Sequence, residues 1–316
     1  MQKKILADKG VLVIAHGKER FINMAKNIAM SYKLTNMRIP IALVTDSDNA
    51  ELRKLYDHII PFNAGYGKGL IQKIYLYDYS VFEKTLYIDV DCLVIRNIDF
   101  LWNLFHIQNS NVSVIGRKVF EGKLFGAEIK EVKKKLHLNY MISFNGGVYY
   151  FKNTEKTKEI FNKAKELIDQ YSLLGIELMR GEKNEEPLFS IAMSISNEAP
   201  VDDQGEGMYT PMGQAGVFKM DSLKGQCEFY KHGRKVSPAI MHFGGGYPEA
   251  FHYRREVCKI KLVYKYRLPK LPVSLIVNLI FNPAYTCYVF VYRILKFLLK
   301  GTKLKFKPLM PMFRFE

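Results

Sequence analysis

The chain has 316 residues, 48% of them hydrophobic, enough for a sizeable core, which excludes a disordered polymer. Its formal charge is +16, yet residues 253–316 carry 14 basic against 2 acidic residues and leave a near-balanced 33 against 29 in the first 252. A polyanion-binding body would spread cations over its own surface, whereas here they sit in one terminal segment, in the manner of an attachment device.

In chain order, Val11-Leu12-Val13-Ile14-Ala15 predicts a buried strand and is too short for a signal-peptide core. Phe21, Met24, Ala25, Ile28 and Ala29 repeat at helical spacing. Ile41-Ala42-Leu43-Val44 predicts a second strand, with Asp46-Ser47-Asp48-Asn49 as a capping cluster for a short helix through Leu52 and Leu55. Leu70 to Tyr79 reads as helical, and Thr85-Leu86-Tyr87-Ile88 as a third buried strand. Strands alternating with helices predict a mostly parallel, Rossmann-like α/β sheet. Ligands of such sheets lie beyond the carboxyl ends of the strands. That rule points to Ala15-His16-Gly17, Asp46 and Asp89-Val90-Asp91.

Further on, Val112 to Ile115 predicts a strand, Ile129 to Leu136 a basic helix, Phe144 to Phe151 a strand, and Thr154 to Tyr171 a helix capped by Asn153 or Thr154. Residues 196–238, rich in Gly, Asp and Ser, read as mostly loop. The expected division is a catalytic domain over 1–252 and a basic, apolar helical segment over 253–316. The four cysteines, Cys92, Cys227, Cys258 and Cys287, form no C-x-x-C pair. They suit a reducing compartment, so the body is expected in the cytoplasm.

Asp89-Val90-Asp91 carries the chemistry. Two carboxylates closing a buried strand repel each other unless a cation joins them, and residues two apart on an extended chain face one side. Hard oxygen ligands suit Mg²⁺ or Mn²⁺, and such an ion offsets the charge of a departing diphosphate. Asp46-Ser47-Asp48 has the same spelling and reads instead as a helix cap.

The run Lys73-Ile74, Lys84-Thr85-Leu86-Tyr87-Ile88-Asp89-Val90-Asp91-Cys92-Leu93-Val94 and Asn97-Ile98-Asp99-Phe100-Leu101 resembles glycosyltransferase family 8, which includes glycogenin and bacterial lipopolysaccharide galactosyltransferases. Phe144-Asn145-Gly146-Gly147-Val148 and Ile240-Met241-His242-Phe243-Gly244-Gly245 resemble two further elements of that family, in its order. Glu185-Glu186 stands where the family has an Asp-Gln pair. The resemblance implies a GT-A fold, a retaining hexosyltransferase activity and a nucleotide-sugar donor, commonly UDP-linked. It also implies Mn²⁺ on Asp89, Asp91 and His242, donor contacts from Lys73 and Asn145 with the neighbouring Val90, Gly146 and Gly245, and Glu185 or Glu186 near the transferred sugar. The family's usual Lys and Trp after the His-Phe-x-Gly element are missing, which leaves Arg254 or Arg255 to supply the charge.

Each of these residues has a plainer reading. Lys73 suits a charged helix surface, His242 a core histidine, Asn145-Gly146-Gly147 a turn, and Glu185-Glu186 a solvated first helical turn. A sugar nucleotidyltransferase shares this kind of sheet but needs a Gly-rich phosphate loop after the first strand, which His16-Gly17-Lys18-Glu19-Arg20 is not. A glycoside hydrolase also pairs carboxylates but needs no metal. A non-enzymatic membrane- or polyanion-binding protein would rest on the tail alone.

Leu271 to Tyr292 has no charge, and Pro283 is expected to end one helix and start another. Arg293, Lys296 and Lys300 fall on one helical face, near Lys303, Lys305 and Lys307, beside Val289, Phe290, Ile294, Phe297 and Leu298. That pattern predicts a helix lying in the interface of an anionic membrane, suited to a lipid-linked glycan acceptor, ahead of a helix packed on the body and of a transmembrane span.

Overall fold

The computed structural model describes residues 4–35, 37–67 and 69–298, with backbone alone at 215, 216, 293 and 295–298. Lys300, Lys303, Lys305 and Lys307 fall outside the described residues. The chain packs as two units. One comprises Met1–Lys26, Arg38–Val90 and Asp99–Met208; the other comprises Asn27–Met37, Asp91–Ile98 and Tyr209–Glu316.

The chain begins with β1 (Ala7–Ile14), α1 (Glu19–Leu34), β2 (Ile41–Thr45), α2 (Ala50–Leu55) and β3 (His58–Pro61). Next come α3 (Leu76–Tyr79), β4 (Phe82–Ile88), β5 (Cys92–Val94), α4 (Asp99–Gln108) and β6 (Val112–Val119). They are followed by β7 (Lys123–Leu124), β8 (Ala127–Glu128), α5 (Ile129–Leu136), β9 (Met141–Lys152), α6 (Glu155–Glu166) and α7 (Glu185–Ile195). The remainder is β10 (Met208–Tyr209), β11 (Gln214–Asp221), β12 (Gln226–Lys231), β13 (Arg234–Val236), β14 (Ile240–His242), α8 (Phe251–Tyr266) and α9 (Lys270–Leu298).

The first unit is built on a six-stranded sheet ordered β3-β2-β1-β4-β9-β6. Its first four strands are parallel, and β9 runs antiparallel to both β4 and β6. The sheet is mixed and mostly parallel in its strand-helix half, as the alternation predicts. Val11, Leu12, Val13 and Ala42, Leu43, Val44 are buried, so β1 and β2 read as unbroken apolar runs because both their faces are covered. A core of Leu12, Val44, Tyr87 and Phe151 with Phe161, Leu188 and Phe189 of α6 and α7 fixes the sheet against its helices. That packing places the carboxyl ends of β1, β2 and β4 at one edge.

Two expectations need correction and two need refinement. Asp46 does not cap α2: Asn49 does, its side chain accepting from Glu51 N at 2.9 Å, while the Asp46 carboxylate accepts from Gly17 N at 3.1 Å. Residues 196–238 are mostly loop and turn, as expected, but not wholly so. They hold an antiparallel sheet β11-β12-β13, whose polar outer positions hid the alternation of buried Cys227, Phe229 and Val236. Pro283 does not split the last helix, which runs through it from Lys270 to Leu298. Phe281 and Tyr285, on either side of the proline, both pack on Phe251, with ring centroids 5.7 and 4.3 Å away, and hold the turn together. The stretch read as one helix over Leu70–Tyr79 is a 3-10 helix, Gly69–Tyr75, continued by the short α3.

In the second unit, α8 and α9 are tied together by buried charge. Lys259 Nζ lies 3.1 Å from Asp221 Oδ2 and 3.0 Å from Glu256 Oε1. Arg255 donates to Glu256 Oε1 at 2.8 Å, to Asn282 Oδ1 at 2.8 Å and to the carbonyl of Met220 at 2.6 Å. Ser274 and Asn278 of α9 donate to Asp221. The outward side of α9 is apolar, with Leu271, Leu275, Ile276, Leu279, Ile280, Phe290, Val291 and Ile294 exposed.

Candidate functional site

In the first unit the chemistry gathers where β4 ends. Lys73, on the 3-10 helix, reaches under the sheet edge and is only 7% exposed. Its ammonium lies 2.7 Å from Asp89 Oδ2 and 2.9 Å from Glu185 Oε1, and donates to the carbonyl of Gly146 at 3.0 Å. The lysine is therefore no surface residue. Asp89 accepts from the Tyr87 hydroxyl at 2.5 Å, and its own N–H donates to the carbonyl of Gly147 at 2.9 Å. Tyr87 and Asp89 are two apart at a strand end, so the phenol and the carboxylate share a side.

Glu185 and Glu186 start α7, capped by Asn184, whose side chain accepts from Glu186 N at 3.3 Å. They are not a solvated turn. Glu185 is 1% exposed, accepts from the Tyr149 hydroxyl at 3.3 Å, and its Oε2 finds no hydrogen-bond partner among the described residues. Glu186 Oε1 accepts from Gly146 N at 2.6 Å, and its Oε2 from Asn184 Nδ2 at 3.3 Å. A carboxylate pair at a helix N-terminus benefits from the positive end of the helix dipole.

Burial pushes the Glu185 carboxyl up to about 7, against the pull of Lys73 and with the repulsion of Glu186 and Asp89. Burial would lower Lys73, but Asp89 and then Glu185 outweigh it and hold the ammonium charged above its ordinary range. The Tyr149 phenol is raised by burial and then by Glu185, so it stays a donor.

Gly146 is required by space. A Cβ there would stand 2.6 Å from Glu185 Oε1 and 3.0 Å from the Tyr149 hydroxyl. Asn145 turns its side chain back, its Oδ1 accepting from Gly147 N at 3.1 Å, as a turn former would. At the ends of β1 and β2, Ala15 is buried and His16 stacks on Phe62 at 4.0 Å. Burial lowers the His16 imidazole, with Asp46 opposing. Gly17 has φ 77° and open space where a Cβ would be, so its N–H is presented freely to Asp46.

In the second unit, β14 pairs antiparallel with β5, with His242 opposite Cys92. Asp91 Oδ1 lies 3.1 Å from His242 Nε2, and Phe243 N donates to the Asp91 carbonyl at 3.0 Å. Ligand atoms of Asp91, Cys92 and His242 all lie within 4.8 Å of one another, a set that could hold a metal ion. Carboxylate and imidazole suit a hard or borderline divalent ion, while a buried thiol favours softer ones. Gly245, at φ 71°, turns the chain just after His242, and Val90 sits in the turn before Asp91. Arg255 is locked into its buried pairs and is not open to a diphosphate; Arg254 is exposed.

Lys73, Asp89, Gly146, Glu185 and Glu186 are thus brought together, as are Asp91 and His242. Tyr87, Tyr149 and Asn184 were missed. The alternation of β4 points to Tyr87, and an Asn before an acidic first turn points to Asn184, whereas Tyr149 has no sequence signal apart from its strand.

No protein-family model matches the chain, and no curated protein matches it. Among solved structures, the apo form of the bifunctional glycosyltransferase WbbM aligns at TM-score 0.50 and 10% identity, over 86% of this chain and 51% of that one. The galactosyltransferase LgtC, in complex with donor and acceptor sugar analogues, aligns at TM-score 0.44 and 16% identity, over 64% and 76%. The glycosyltransferase GlyE of Streptococcus pneumoniae aligns at TM-score 0.41 and 17% identity, over 65% and 46%. The present chain spans about half of WbbM. At such identities the likeness establishes the fold: this is the α/β fold of GT-A-type glycosyltransferases.

Proposed function

We propose that the chain is a metal-dependent glycosyltransferase that moves a hexose from a nucleotide-sugar, UDP-linked in the family it resembles, to a glycan or lipid-linked glycan. The observation that carries this reading is the buried Lys73–Asp89–Glu185 constellation, with one carboxyl oxygen left without a partner among the described residues, at the strand end where such folds bind ligands.

Asp91 and His242, with Cys92 beside them, fit a divalent cation, Mn²⁺ or Mg²⁺, and Asp89 is the other acid of the D-x-D pattern in the sequence. A bound ion would offset the negative charge that collects on the departing nucleotide diphosphate. The protein's own residues do the rest. Lys73 fixes Asp89 and Glu185 and holds the Gly146 carbonyl; Glu185, poised near neutrality and shielded from water, faces the developing positive charge of the sugar. Glu186 and Asn145 shape the Gly146-Gly147 turn against which the donor rests, and His16 and Gly17 border the nucleotide end. No residue of the site stands out as a nucleophile, so departure of the leaving group followed by attack on the same face, with retention, is the favoured course.

The exposed apolar side of α9 supports peripheral attachment to an anionic membrane. Lys270–Tyr292 is also long and apolar enough to cross one, with mean hydropathy 1.5 and 17% burial. The polar anchors of its inner side, buried Ser274 and half-buried Asn278 on Asp221 and exposed Asn282 on Arg255, favour a helix lying on the surface.

A screen of nucleotide-sugars tests the activity. Nucleotide release that requires Mn²⁺ or Mg²⁺ and is lost in Asp91→Asn is expected. Release unaffected by chelator would point to a hydrolase, and absence of both release and nucleotide binding would leave the tail-driven binding protein.

A further inference from the structure

Burying an ammonium without a counter-charge is costly, and proteins normally pair it with acid. Lys259 obeys this rule through Asp221 and Glu256. Lys231 does not. It sits at the end of β12, half-buried, and no carboxylate among the described residues lies within ion-pair distance of it. Its Nζ donates only to the carbonyl and the hydroxyl of Thr210, both at 3.0 Å, which leaves one N–H over.

Its neighbours are as unusual. Gln214 is paired with Lys231 in the antiparallel register of β11 and β12, so their side chains stand side by side on one face. That face is the buried one, since Cys227 and Phe229 precede Lys231 on it at alternate positions. Gln214 is 2% exposed, and neither its Nε2 nor its Oε1 has a hydrogen-bond partner among the described residues. Thr210 is 5% exposed, and its hydroxyl, which accepts from Lys231, keeps its own proton to give. Arg234 stands opposite Lys231 on the next strand, and both cations lie 5.9 Å from the Tyr209 ring centroid.

One hairpin end therefore presents several unused donors and a half-buried cation with no counter-charge among the described residues. Burial lowers the Lys231 amine to about 8, as expected of a charge that lacks its partner. An oxyanion accepts from ammonium, amide N–H and hydroxyl donors such as these, though it does nothing for the Gln214 Oε1, itself an acceptor. We propose that Lys231, Gln214 and Thr210 form a subsite for a phosphate group carried by the acceptor. This rests on the glycosyltransferase reading for the word acceptor, while the binding itself does not.

Calorimetric titration of the full chain, without metal or donor, tests it with three probes: inorganic phosphate, glucose 6-phosphate and dihexanoyl phosphatidic acid below its micelle concentration. Saturable binding to the wild type is expected. It should weaken at least about tenfold in Lys231→Met, a loss of at least about 1.4 kcal/mol, and several-fold in Gln214→Leu, a smaller loss. Lys231→Arg should retain it. Lys235→Met removes an exposed lysine of the same hairpin, paired with Glu228, and should leave it unchanged. Tighter binding of the lipid phosphate would assign the group to a lipid-linked acceptor, and of the sugar phosphate to a soluble one. Absence of binding up to about 10 mM, or equal losses in Lys231→Met and Lys235→Met, overturns the proposal. So does unchanged binding in a Lys231→Met variant whose melting temperature matches the wild type. Because no donor is present, failure here leaves nucleotide release as a separate result.

Discussion

The molecule buries two clusters of opposite charges, and they are built to different rules. Around Lys259 the account balances: Lys259 and Arg255 face Asp221 and Glu256, and every carboxylate is held by hydrogen bonds, including Ser222 N and Oγ at 2.8 Å on Glu256. Burial would raise Asp221, but the hydrogen bond from Ser274 and the charge of Lys259 hold its carboxyl below the ordinary range. Around Lys73 a single cation faces Asp89 and Glu185, with Glu186 nearby, and one oxygen of Glu185 has no partner among the described residues. The first cluster is complete and serves to fasten helices. The second is incomplete, which is what a site awaiting a ligand requires.

Four changes would break or sharpen that contrast. The largest effect is expected from Lys73→Met, which should cut nucleotide-sugar turnover by about 10²- to 10³-fold, read as release rate at saturating donor. Its effect on stability should be smaller than that of Lys259→Met, since Glu185 can take up a proton when its counter-charge is lost.

Lys259→Met should destabilise the fold by about 3–5 kcal/mol in denaturant unfolding, because it strands carboxylates that are buried. If the two lysine variants lose equal stability, the contrast fails.

The third prediction concerns pH. Glu185 has a raised folded value, about 7 against 4.5 unfolded, so the folded state binds its proton more tightly. Its burden is absent below pH 4.5, grows through the window up to 7, and is full above it, a loss of about 3 kcal/mol with rising pH. Glu185→Gln should remove that slope and be the more stable protein at pH 8, while losing turnover. Equal pH slopes for the two proteins would count against it.

Smallest is Gly146→Ala, whose methyl must displace Glu185 or Tyr149, at about 1–3 kcal/mol in unfolding and a loss of turnover. Full activity in this variant would show that the turn is not pressed against the site.

Much of the fold was legible in the sequence because β1, β2 and β4 are buried on both faces and so appear as unbroken apolar runs. The helix at Ile129–Leu136 and the cap at Thr154 also follow from local chemistry. The β11-β12-β13 sheet was not legible, since its apolar positions are separated by lysines and acids that face outward. At the site, Asp89, Lys73 and Glu185 were found by pattern, but that Lys73 joins the other two was not. Such a pairing across 112 residues exists only once β4, the 3-10 helix and α7 are folded together. Tyr149 was hidden for the same reason.

The central claim meets its most direct test in the initial rate of nucleotide release from a nucleotide-sugar, measured after chelation and again after Mn²⁺ is restored, for the wild type and for Asp89→Asn. The expected result is release that vanishes with chelator, returns with Mn²⁺ in the wild type, and stays at background in the variant. Release at the wild-type rate in Asp89→Asn, or without any divalent ion, would contradict it.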